Sequence, residues 1–141
     1  MDLAHLRKGV PMKTGPSLIA KLEFFDRRRK TEALGTFILR IRNSDGQFAR
    51  APLSIYYRQD DEDGFKIEAK SAVLWDIIIH EEEWRRKGIG TEWLGIMRGF
   101  AKSEGAERFY AHYVKPEGEA FFARAGFIPT HDPMWWIMKN F

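Results

Sequence analysis

The sequence predicts a mixed α/β fold: a mostly antiparallel sheet holding one central parallel strand pair, with helices on its faces. Three observations predict it. Val73-Leu74-Trp75-Asp76-Ile77-Ile78-Ile79 is nearly continuous apolar sequence, as in a strand covered on both faces. Ile89, Trp93, Ile96, Met97 and Phe100 fall at i, i+4, i+7, i+8 and i+11, one apolar stripe along a helix. Arg108–Val114 (RFYAHYV) then reads as a strand, so the segments at 73–79 and 108–114 flank one helix and run parallel through a crossover.

The remaining elements follow in chain order. Residues 1–16 contain Gly9, Pro11, Gly15 and Pro16 and read as a loose or docked arm. Leu18 to Phe25 is apolar-rich and strand-like, and the basic run Arg27, Arg28, Arg29, Lys30 follows it. Thr36–Arg42 is a strand closed by the turn signal Asn43-Ser44-Asp45-Gly46. Leu53–Arg58 is another strand. Asp60-Asp61-Glu62-Asp63-Gly64 makes a hairpin loop, after which Phe65, Ile67 and Ala69 alternate with Lys66, Glu68 and Lys70 in a half-exposed strand. Past the long helix, Gly105 is a stop signal. Pro116 and Glu117 start a shorter helix, because proline fits its first position and a carboxylate favours its positive end. Gly126 caps that helix, and Met134–Met138 is a closing strand.

The 141 residues suffice for one domain, read as spanning 1–141, with a core of its own. With 44% hydrophobic and 30% charged residues, the chain is not of disordered type. It contains no cysteine, which removes disulfide scaffolds, thiolate metal sites and cysteine nucleophiles together. Its four histidines show no metal-ligand spacing, so no metal is expected. No apolar run approaches the ~20 residues of a membrane span, and the first residues lack the apolar centre of a signal peptide. A cytoplasmic location and no membrane partner are the expectation. Lys and Arg exceed Asp and Glu by 23 − 20 = 3, a mild excess that permits a nucleic-acid partner without calling for one. Arg27–Lys30 is read as a solvated hairpin end, with a nucleic-acid-binding patch formed with Arg85–Lys87 as the alternative. The 14% aromatic fraction leaves room for a homodimer contact, and Trp135 and Trp136 are read as divided between the core and a lining or oligomer surface.

The segment richest in chemistry is Trp84-Arg85-Arg86-Lys87-Gly88-Ile89-Gly90-Thr91, between the buried strand and the long helix. Two glycines let the backbone turn with its N–H groups outward, and the helix start adds about half a positive charge. Such a loop suits a phosphate or diphosphate. The spacing departs from two familiar phosphate loops: Lys87 precedes Gly88 instead of following a second glycine, and Trp93 stands where a dinucleotide fingerprint has its third glycine.

Arg85-x-x-Gly88-x-Gly90, after a strand and before a helix, resembles the acyl-CoA-binding signature of the GCN5-related N-acetyltransferases, Gln/Arg-x-x-Gly-x-Gly/Ala. Ala120-Phe121-Phe122-Ala123-Arg124-Ala125-Gly126-Phe127 is similar to the family's A-x-F-Y-x-x-x-G-F helix end, and Met-Trp-Trp-Ile-Met-Lys to its last strand. The match covers roughly residues 73–141. The resemblance implies the acyl-CoA N-acyltransferase fold, in which the central parallel pair splays apart. It implies acetyl-CoA as acyl donor and a small-molecule or peptide amine as acceptor. The diphosphate would lie on Arg85, Arg86, Lys87, Gly88, Ile89, Gly90 and Thr91, and pantetheine beside Ile78, Ile79 and His80. The family's tyrosine is replaced by Phe122, which can pack against pantetheine but carries no hydroxyl, and its usual asparagine by Lys115. Tyr110 and Tyr113 are candidate substitutes for the missing hydroxyl.

Direct transfer needs a base to deprotonate the amine and a group to protonate the leaving thiolate. Asp76, alone in an apolar strand, is either the base, with a pKa raised by burial, or an ion-paired strand residue. His112 shares a strand face with Tyr110 and is the second candidate base, or a merely hydrogen-bonded histidine. Glu81, Glu82 and Glu83 read as a solvated loop, from which Glu81 could reach an acceptor.

Overall fold

The computed structural model describes residues 3–25, 34–42, 48–75 and 88–141. Eight strands form one sheet in the order β1-β2-β3-β4-β7-β8-β10-β9, and β5 and β6 form a separate hairpin. The strands are β1 (Val10–Met12), β2 (Gly15–Phe25), β3 (Leu34–Arg42), β4 (Phe48–Tyr56), β5 (Asp60–Glu62), β6 (Phe65–Ile67), β7 (Ser71–Leu74), β8 (Arg108–His112), β9 (Phe127–Pro129) and β10 (Trp135–Met138). The helices are α1 (Leu3–Lys8), α2 (Ile89–Ser103) and α3 (Glu119–Arg124). Every pairing in the large sheet is antiparallel except β7 with β8. This is the mixed architecture that the sequence predicts.

Strand alternation divides the side chains between two faces. Leu18, Ala20, Leu22, Leu39, Ile41, Ala49, Ala51, Leu53, Ile55, Ala72, Leu74, Phe109 and Ala111 enter one core, with Trp93, Met97 and Phe100 of α2 and Leu6 of α1. Phe121 and Phe122 of α3 pack against the same core, so the described helices gather on one face of the sheet. The second face carries a smaller core of Tyr56, Phe65, Ile67, Val73, Tyr110 and Trp135, closed by the β5–β6 hairpin. β7 is therefore buried on both sides, which accounts for its unbroken apolar run. The hairpin turn is Asp63-Gly64, with φ of 50° and 80°. Asp-Gly tolerates the positive φ that a two-residue connection needs.

Three sequence expectations shift. The strand expected over 53–58 is Phe48–Tyr56, because β4 pairs with β3 along its whole length. Trp135 and Trp136 are both buried, one in each core. Within the expected N-terminal arm, α1 and β1 are regular elements, and Leu6 and Met12 are each only 1% exposed. The basic run 27–30 lies outside the described residues.

Candidate active site

Among the described residues, the parallel ladder runs from Ser71↔Arg108 to Leu74↔Ala111. At Trp75, the last described residue of that segment, and at His112 and Tyr113 the outer neighbours supply the bonds that are seen. The Trp75 amide donates to the Pro52 carbonyl of β4 at 3.1 Å, while His112 pairs with Trp135 of β10 and the Tyr113 amide donates to the Met134 carbonyl at 2.6 Å. Tyr113 has a left-handed backbone, φ 61°, which ends β8. A non-glycine residue in that region costs on the order of 1 kcal/mol, held here by the surrounding pairing.

On the second face, the ring of His112 packs on two indoles that also meet each other edge-on at 6.0 Å. Its centroid lies 5.0 Å from Trp75 and 4.4 Å from Trp135. The Trp75 Nε1–H donates to Ser54 Oγ at 2.6 Å, which fixes the indole against β4. Tyr110, two residues before His112, meets Trp135 edge-on at 6.1 Å and Phe65 at 5.6 Å. Phe65 stacks on Trp135 at 4.5 Å and 9°. The predicted common face of Tyr110 and His112 is thus observed. Desolvation by burial pushes the Tyr110 hydroxyl above the ordinary tyrosine range; Arg108 opposes this and Glu68 adds to it. The hydroxyl remains a proton donor through neutral pH.

On the helix side, Gly88 is the N-cap of α2 and adopts φ 77°, a left-handed conformation that suits glycine. Gly88 has no side chain to cap the helix, and the first intrahelical bond runs from the Glu92 amide to the Gly88 carbonyl at 3.0 Å. The amides of Ile89, Gly90 and Thr91 therefore precede the ladder of helix bonds. Ile89 and Gly90 are buried and Thr91 is exposed. Glu92 turns away from this mouth to the turn between β1 and β2. Its carboxylate accepts the Lys13 amide at 2.8 Å, the Thr14 amide at 2.8 Å and the Thr14 hydroxyl at 2.7 Å. Partial desolvation raises the Glu92 pKa, but these bonds and the nearby Lys13 charge outweigh it, and the carboxyl lies below its ordinary range.

The other predicted site residues fall as follows. Asp76, Ile78, Ile79, His80, Glu81, Glu82, Glu83, Arg85, Arg86 and Lys87 lie outside the described residues. Lys115 is exposed before the 3-10 turn Pro116–Gly118, its ammonium 5.8 Å from the Tyr113 ring centre. Phe122 is half-buried and packs edge-on against Phe121 at 5.2 Å and Phe127 at 5.4 Å. Among the described residues, no three of His, Asp and Glu converge on a metal-sized site, and no helix is long and apolar enough to cross a membrane. Trp75, Ser54 and Glu92 were not singled out by the sequence. A lone indole in an aliphatic strand was the available signal for Trp75; nothing local marks the partners of Glu92, 78 and 79 residues away in sequence.

A mostly antiparallel sheet with one described parallel pair, flanked by helices and followed by a glycine-opened helix start, is the acyl-CoA N-acyltransferase fold that the sequence resemblance implies. Comparison with solved structures agrees. The chain is similar to the crystal structure of AtaTR bound with AcCoA, at 15% identity over 79% of this chain and 70% of that one, with a TM-score of 0.53. It is also similar to the KacTA–DNA complex, at 20% identity over 77% and 69% of the two chains, with a TM-score of 0.52. At such identities the likeness establishes the fold. No protein-family model and no curated protein matches the sequence.

Proposed function

We propose that the protein is an N-acetyltransferase that moves an acetyl group from acetyl-CoA directly to a primary amine. The observation that carries this reading is the parallel β7–β8 pair at the centre of the sheet, described as far as Leu74 and Ala111, with the start of α2 and the His112–Tyr110 face belonging to the same two strands and their crossover. The acceptor is read as a small-molecule or peptide amine.

In this reading, the amides of Ile89, Gly90 and Thr91, with Gly88 and the preceding Arg85, Arg86 and Lys87, hold the diphosphate. Residues 78–80 supply backbone groups to pantetheine, and Lys115 and Phe122 lie toward the same arm. The amine approaches from the second face. Its nitrogen attacks the thioester carbonyl carbon, the C–N bond forms, and the C–S bond breaks as the tetrahedral intermediate collapses. The ammonium proton passes to His112, directly or through a water, with Asp76 as the alternative base. The thiolate leaves with the CoA and takes its proton from the Tyr110 hydroxyl, which burial keeps protonated. No covalent enzyme intermediate is involved.

Calorimetry with acetyl-CoA tests the donor, and thiol release across a panel of amines tests transfer. Binding without thiol release from any amine would favour a CoA-binding protein of this fold, a reading that Phe122 supports because it packs on Phe121 and Phe127 and has no hydroxyl. Absence of binding at high micromolar acetyl-CoA sinks both. The Y110F variant is expected to lose the alkaline limb of the pH–rate profile, a limb that lies above the ordinary tyrosine range in the parent.

A further inference from the structure

The contact between Glu92 and the β1–β2 turn joins the N-terminal hairpin to the mouth of α2 and is separate from the groups that touch the reacting atoms. Three donors converge on one carboxylate, at 2.7 to 2.8 Å. Charge-assisted bonds of this length are about twice as strong as neutral ones. The turn also abuts the N-cap: a Cβ placed on Gly88 would lie 3.5 Å from Thr14 Cγ2. Both arms of the hairpin are anchored near the turn, with Met12 and Leu18 in the main core. The first turn of α2 is therefore held from outside at Glu92, one residue past the last of its three open amides. The N-cap residue, Gly88, has no side chain with which to cap the helix, so this tie takes over part of the cap's work of fixing the first turn.

We propose that Glu92 is a positioning residue for diphosphate recognition, acting through the Lys13–Thr14 turn to fix the amides of Ile89, Gly90 and Thr91. The inference rests on the acetyl-CoA reading above. Amides aimed in advance at an anion need no reordering when it binds, so a fixed helix mouth favours affinity for the diphosphate and not for the acyl arm. Glu92 itself need not touch the ligand.

The test uses the full chain, two variants and two ligands. Glu92→Gln keeps the shape and removes the charge; Thr14→Val removes only the hydroxyl bond and protects the test against a failure of the first variant to fold. Acetyl-CoA carries the diphosphate, and S-acetylpantetheine carries the same acyl arm without it. Dissociation constants are measured by calorimetry for the first and by NMR titration for the second. E92Q is expected to weaken acetyl-CoA about tenfold and T14V about threefold, with S-acetylpantetheine changed less than twofold in both. Amide hydrogen exchange at residues 89–91 is expected to quicken in the order parent, T14V, E92Q. Equal weakening of both ligands would reduce Glu92 to a general structural role and overturn the proposal, as would unchanged acetyl-CoA affinity. Failure of the parent chain to bind acetyl-CoA overturns the reading on which the proposal stands, an outcome distinct from those two.

Discussion

The two faces of the sheet are built from different materials. The helix-covered face is aliphatic with bulky aromatic plugs, and Trp93, Phe100 and Phe109 are all nearly inaccessible there. The hairpin-covered face is aromatic and polar together: Tyr56, Tyr110, His112, Trp75 and Ser54 share it with Phe65 and Trp135. Toward β2 and β3 that face becomes charged, with Glu23 paired to Arg40 at 3.2 Å and to Arg42 at 3.5 Å. The first face buries enough apolar surface to determine the topology. The second keeps hydroxyl, imidazole and indole groups in partly dry surroundings, where a proton can be held or moved. One face fixes the fold, and the other is where the proposed transfer places its base and acid.

Substitutions on each side can break that contrast. The largest effect is expected from Trp93→Ala, which empties the helix-face core and costs about 3–5 kcal/mol in denaturant unfolding. Trp93→Phe costs much less, because the buried indole Nε1 has no hydrogen-bond partner and its loss offsets part of the smaller volume. On the second face, His112→Ala is expected to lower kcat at least a hundredfold while acetyl-CoA affinity in calorimetry stays within threefold. A variant that loses stability and keeps its rate would place His112 with the core instead. Ser54→Ala removes the acceptor of the Trp75 indole and should cost about 1 kcal/mol, with a fall in transfer rate as the Trp75 ring loosens beside His112.

A smaller effect comes from Glu92. Its pKa is lowered in the folded chain, so its contribution to stability is complete above the unfolded carboxylate value and is lost as pH falls through the lowered one. The melting temperature of the parent should exceed that of E92Q at neutral pH, and the gap should close on acidification. A gap independent of pH would show that the charge is not what matters. The smallest change is expected at Lys70, whose φ is 57° and whose ion pair with Glu107, at 3.8 Å, is exposed. Lys70→Gly should raise stability by a few tenths of a kcal/mol, the relief of the left-handed backbone slightly exceeding the lost pair.

The comparison also explains what could be read in advance. Period was sufficient for α2, since Ile89, Trp93, Met97 and Phe100 could bury themselves together in only one way. The unbroken run after Val73 announced burial on two sides, and Val73 and Leu74 indeed enter different cores. Alternation placed Tyr110 and His112 on one face, and their shared contact with Trp135 bears that out. Register was harder. β4 begins earlier than its own pattern indicated because its partner β3 extends the ladder to Phe48.

The chain's local pattern determined the class of fold, the axis of the crossover and the glycine at the mouth of α2. These depend on neighbours within a turn or a strand, and such neighbours are adjacent in sequence. The tertiary structure alone decided which indoles His112 packs on, which strand end receives the Trp75 amide, and that the N-terminal hairpin is tied to Glu92. Each of those is a contact between segments tens of residues apart, selected by how two sheet faces close and not by any local preference.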